Sequence, residues 1–142
     1  MGRVIHTDAP GKVREQLRRT VAEMLRRLGQ KTRLDDEAKD QASLIVFCLH
    51  GIADTVDQTV EAWEKRDYYL KAERFRREWD WLEPATDELS AVIHRGQWER
   101  LPETLSRLFP HFADVKITQM TRSPTLWQGA YEKLIKGDGS RP

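Results

Sequence analysis

The chain has 142 residues, 33% charged and 39% hydrophobic, with a formal net charge of +1. That length and balance fit one folded domain and exclude a disordered or membrane-embedded composition. The longest apolar run, 44–49, is six residues, against the roughly 20 that a spanning helix needs. Residues 1–6 read Met-Gly-Arg-Val-Ile-His and lack the apolar centre of a secretion signal, so the expectation is a cytoplasmic protein with no membrane partner. The single cysteine, Cys48, excludes an internal disulfide and a cysteine-based zinc knuckle. Its apolar neighbours make it a buried hydrophobe rather than a reactive thiol.

In chain order, a first helix is expected over 10–28. Pro10 suits its opening turn, Asp8 or Ala9 its cap and Gly29 its stop. Val13, Leu17, Val21, Met24 and Leu28 recur at the spacing of one helix face. A second helix starts near Asp35, with acids in its first turn where the helix dipole favours them. Around 44–49 every side of it is apolar, which marks the centre of the core. Gly51 and Ala53 follow, small enough for a close helix crossing.

The apolar stripe falters at Glu64-Lys65-Arg66-Asp67. A helix ends or bends there, or else one rod runs from 36 to 82, about 70 Å long, which would point to a dimer. Beyond it a seven-residue repeat places Tyr68, Phe75, Leu82 and Leu89 in one row and Ala72, Trp79, Thr86 and Ile93 in another. The phase holds across Pro84, so a kinked helix or two stacked segments ending at Gly96 are expected. A short helix follows over 102–109, then an irregular stretch that includes 115–118. The last helix should be capped by Ser123 and opened by Pro124, with Leu126, Trp127, Ala130, Tyr131, Leu134 and Ile135 inward and Gly137 at its end. The reading is therefore one all-α domain over 1–137: a bundle of four to five helices with a long central helix or helix pair, plus a C-terminal helix. Residues 138–142 read as a disordered tail.

Charge is segregated. Residues 1–33 carry nine basic and three acidic side chains, and 34–62 carry one basic and seven acidic. The simpler expectation is that these neighbouring helices neutralise each other. The alternative is a nucleic-acid-associated protein using Arg14, Arg18, Arg19, Arg26 and Arg27 on phosphates. Between Trp63 and Trp81, aromatic rings alternate with basic residues, but acids stand four away at Asp67–Lys71, Glu73–Arg77, Arg74–Glu78 and Arg76–Asp80. A salt-laced amphipathic helix explains that pattern better than a single-strand stacking platform. Leu70 and Trp81 fall outside the heptad face with Arg74 and Arg77 beside them, a composition common in protein interfaces. These four are the candidate partner-binding residues.

An acidic ridge, Asp54, Asp57, Glu61 and Glu64 with His50, follows one face of the second helix. Such carboxylates are candidates for Mg²⁺. With Asp80 and Glu83, the Glu61-x-x-Glu64 pair resembles, over a handful of positions, the all-helical nucleoside triphosphate pyrophosphatases. Their later pair reads Glu-x-x-Asp; here Asp80-x-x-Glu83 inverts it. The resemblance implies a Mg²⁺-dependent hydrolase as a further alternative. No histidine spacing, glycine-rich loop or nucleophile elbow is present, so no metal or cofactor is expected. The leading expectation is a non-catalytic helical interaction or scaffold protein that pairs with itself as a homodimer or with another protein.

Overall fold

The computed structural model describes residues 9–137. The N-terminal segment with Asp8 and the tail read over 138–142 lie outside the described residues. The first helix, α1, spans Pro10–Gly29. Pro10 takes its opening position, where the missing N–H costs nothing. The second, α2, spans Asp36–Lys65, and the Asp35 carboxylate accepts a hydrogen bond from the Ala38 amide at 2.8 Å. The two pack closely. A Cβ at Gly51 would lie 2.8 Å from Leu17 Cδ1, so the glycine does set the crossing. The all-round apolar turn of α2 supplies Ile45, Val46 and Leu49, all fully buried. The architecture is all-α, and no strand occurs among the described residues. No helix among them is long and apolar enough to cross a membrane.

α2 and the next helix are two rods, not one. The amides of Asp67 and Tyr68 donate to the carbonyls of Glu64 and Trp63, the two reverse bonds that close a helix C-terminus when the intervening residue is left-handed. Asp67 takes that conformation, with φ of 63°, a position glycine normally fills. That is why no glycine or proline marks the break.

Helix α3 spans Tyr69–Glu78 and α4 spans Leu82–His94. The second expected form, two stacked segments, is therefore the observed one. The chain breaks at 79–81, and Pro84 sits in the first turn of α4, where its lost N–H is tolerated. The heptad rows still point into one core: Ala72, Leu82, Thr86, Leu89 and Ile93 are buried, although Tyr68 is not. Gly96, with φ of 64°, ends α4. α5 then runs Leu101–Leu108, followed by a 3₁₀ turn over Phe109–Phe112.

The C-terminal helix differs from expectation. Pro124–Leu126 is a 3₁₀ turn, and α6 spans only Ala130–Lys136. Gly129, with φ of 80°, lies between them. Ser123 does not cap α6; its hydroxyl meets that of Thr125. The cap comes from α2, where the Asp40 carboxylate accepts from the Gly129 and Tyr131 amides at 3.2 and 2.9 Å. Trp127, Ala130 and Leu134 are buried as expected, whereas Leu126 and Ile135 are exposed.

Candidate interaction surface and the arginine clasp

Residues 113–123 form an irregular strap with few backbone bonds of its own, so its carbonyls need donors from elsewhere. α1 supplies them. Arg19 donates to the carbonyls of Lys116 and Gln119 at 3.4 and 2.6 Å and Arg26 to that of Ile117 at 2.8 Å, while Arg18 donates to the His111 carbonyl of the preceding turn at 3.1 Å. In the opposite sense, the fully buried Glu23 carboxylate accepts from the Thr121 and Arg122 amides at 2.9 and 3.0 Å and from the Thr121 hydroxyl at 2.6 Å. Arg122 closes the clasp by donating back to the Thr20 hydroxyl and the Gln16 carbonyl.

The expected neutralisation between the basic opening segment and the acidic one after it is met in part: Lys31 pairs with Asp35 and Glu37 at 3.0 and 2.8 Å, whereas Arg18 and Arg19 turn elsewhere. Arg18 pairs with Glu15 and Asp114, and Arg19 pairs with Glu23; these carboxylates lie on α1 or on the strap. Geometry explains the outcome, because a helix face carrying long donors satisfies a carbonyl-rich strap better than a neighbouring helix whose carbonyls are already bonded. Burial alone would raise the Glu23 pKa. The hydrogen bonds from the Thr121 hydroxyl, the Arg122 amide, Arg19 and the Thr121 amide outweigh it and hold the group at about 2.

Arg14 is drawn inward, with 9% exposure. It donates to the Thr55 and Thr59 hydroxyls at 3.2 and 2.6 Å and lies 4.8 Å from the Phe75 ring centroid. Burial lowers its pKa. Arg27 lies over Trp127, 4.9 Å from that centroid. All five arginines proposed for nucleic acid thus have intramolecular contacts.

The aromatic stretch from the end of α2 through α3 is divided. Trp63, Phe75, Trp79 and Trp81 form a ladder of neighbouring rings, with centroids 5.1, 6.3 and 5.7 Å apart. Trp81 then stacks on His111 at 3.7 Å and meets Phe112 edge-on. The cover on Trp81 is the 3₁₀ turn after α5, not the C-terminal helix. Burial there also lowers the pKa of His111.

The other candidate partner-binding residues face outward. Leu70 is 66% and Tyr69 61% exposed, and Ala72 is the only fully buried residue of α3. Arg77 has 74% of its side chain exposed and reaches Glu73 at 3.6 Å; Arg74 is also exposed. Leu70 and Trp81 lie at opposite ends of α3, so Leu70, Arg74 and Arg77 share a surface that Trp81 does not join. Of the four expected spaced pairs, Glu73–Arg77 forms. Arg76 turns to Glu64 at 3.3 Å, and Asp67 accepts from the Tyr69 hydroxyl.

The acidic ridge does not converge. His50 and Asp54 border a cleft of about 440 Å³ beneath Gly129 and Lys133. Asp57 borders a second cleft with Asp80, Glu83, Arg76 and Arg77. Glu64 is engaged by Arg76, and Glu61 borders neither cleft. Among the described residues no group of three or more His, Cys, Asp or Glu side chains is arranged to hold a metal ion. Cys48 is buried, as expected, and burial pushes its thiol pKa up to about 12. One feature escaped the sequence reading: an apolar groove of about 580 Å³ between the α1–α2 turn and α5, with exposed Leu34 and Phe109 on its lips. The isolated Leu34 in a polar turn was its one sequence signal.

In comparisons with known proteins, no family model, no curated protein and no solved structure matches this chain.

Proposed function

We propose that this chain is a small helical interaction or scaffold module without catalytic activity, which associates with itself. The observation that supports this reading is α3, a helix anchored by one fully buried residue while Tyr69, Leu70, Arg74 and Arg77 face outward. Apolar groups rimmed by arginine are the usual composition of a contact surface. The compartment that goes with this reading is the cytoplasm, where the Cys48 thiol stays reduced. Light scattering at micromolar concentration tests it: a mass that is a multiple of 16.6 kDa is expected, and the mass of one chain removes self-association.

Another protein as partner is the neighbouring form of the same reading, through the same surface. The nucleic-acid reading loses its main support, because the arginines it needs are bonded within the fold. The hydrolase reading retains one favourable observation, the cleft that brings Asp57 to Asp80, Glu83 and two arginines. Pyrophosphate release from a nucleotide panel with Mg²⁺ would revive it; its absence would end it.

A further inference from the structure

The groove of about 580 Å³ between the α1–α2 turn and α5 sorts its lining by polarity. Leu25 and Leu28, at the end of α1, supply one apolar wall, and Leu101, Leu105 and Phe109 supply the other. These last three recur four residues apart, so they follow one face of α5 and the turn after it over about 12 Å. Charge enters the lining only at Lys31 and Arg33, both cations, with the Thr32 hydroxyl between them in the chain. Among the described residues no acidic side chain lines the groove. Asp35 and Glu37 lie outside it and are spent on Lys31, at 3.0 and 2.8 Å. Arg33 is exposed, and among the described residues no ion pair joins it.

We propose that this groove binds a free medium-chain carboxylate such as decanoate, with its tail along the α5 wall and its head group on the Arg33 guanidinium. The volume lies within the range of about 300–1,000 Å³ usual for small-molecule sites. The apolar wall has the length of an extended medium-chain tail, and seating that tail takes both it and the exposed faces of Leu34 and Phe109 out of water. A guanidinium matches a carboxylate with two parallel hydrogen bonds. With Lys31 already neutralised, Arg33 leaves one positive charge at the mouth, which a singly charged head group satisfies. A cationic amphiphile would meet that charge as a like one. The apolar surface is a recess between two walls, which a single chain enters and a flat lipid surface does not. This inference is independent of the self-association reading, which uses α3.

Isothermal titration of the full chain tests it with three probes: decanoate, decyltrimethylammonium with the same tail and opposite charge, and butyrate with the same head and a short tail. Decanoate is expected to bind with a Kd below about 1 mM, and the other two at least about tenfold more weakly. Two variants divide the site, Arg33→Glu at the head and Phe109→Glu at the tail. Both positions are exposed, and circular dichroism checks that each variant folds. Each is expected to weaken decanoate at least about tenfold, and Arg33→Glu should also abolish the preference for decanoate over the cation. If Phe109→Glu does not fold, Arg33→Glu decides alone. Absence of decanoate binding, equal binding of the two long-tailed probes, or indifference to Arg33→Glu overturns the inference. Binding to vesicles of anionic phospholipid without binding of free decanoate overturns it as well.

Discussion

Helices α1 and α3 are both rich in arginine, and they use it in opposite ways. On α1, Arg14, Arg18, Arg19 and Arg26 each donate to carbonyls or hydroxyls elsewhere in the chain, and Arg27 covers a tryptophan. On α3, Arg74 and Arg77 point outward, tied at most to a neighbour on their own helix. The difference lies in what each helix faces. α1 faces a strap of unpaired carbonyls that demands donors. α3 packs on α2 through Ala72 and Phe75, spends Arg76 on Glu64 and Lys71 on the Trp63 ring, and leaves Arg74 and Arg77 outward. Charge density along a sequence therefore does not distinguish an internal clasp from an external surface; the unsatisfied backbone opposite it does.

That contrast can be broken most directly at Glu23. Glu23→Ala leaves the part-buried Thr121 and Arg122 amides and the Arg19 Nε without their acceptor, and is expected to cost about 3 kcal/mol in urea unfolding. A loss below about 1 kcal/mol would mean that the strap is held by something else. The same carboxylate sets a pH dependence. Its folded pKa is lowered from 4.5 to about 2, so its contribution is fully present above 4.5 and is lost as pH falls through that window. Glu23→Gln should flatten the stability curve between those limits, and an unchanged curve would show that other groups carry it.

Arg14→Leu comes next. It keeps much of the packing on Phe75 but strands the Thr59 hydroxyl, for a loss of about 2 kcal/mol. Asp40→Ala removes the cap on α6 and is expected to cost about 1 kcal/mol, with faster hydrogen exchange confined to the start of α6. At the far end of the scale, Arg77→Ala should leave stability within about 0.5 kcal/mol. A destabilisation as large as that of Arg14→Leu would place α3's outer face inside the fold's own energetics and remove the contrast.

Much of the fold was legible in periodicity. The stripe of α1, the apolar centre of α2 and, Tyr68 excepted, the heptad rows of α3 and α4 face the core they were expected to face. What escaped was decided over long distance. The break after Lys65, by contrast, is local and fell where an end or bend was expected; only its closure by a left-handed Asp67 went unannounced, since the residue type permits that conformation without requiring it. The start of α6 was misplaced because its cap is Asp40, some 90 residues earlier in the chain, while Ser123 and Pro124 offered a convincing local signal. Trp81 read as outward only if α3 continued as one helix; the turn at 79–81 folds it under His111 instead. The clasp left one trace, an aperiodic stretch near 113–123 with no partner strand, whose carbonyls had to be met by some donor-rich face. Of the candidate surface, Leu70, Arg74 and Arg77 are where the sequence placed them.

Arginine-selective labelling of the native protein with phenylglyoxal, mapped by peptide mass spectrometry at a concentration low enough to keep chains apart, tests the contrast most directly. Rapid modification of Arg74 and Arg77 is expected, with Arg14, Arg18 and Arg19 protected until the chain unfolds. Labelling of the α1 arginines at the rate of Arg77 would contradict the clasp, and with it the contrast between the two helices.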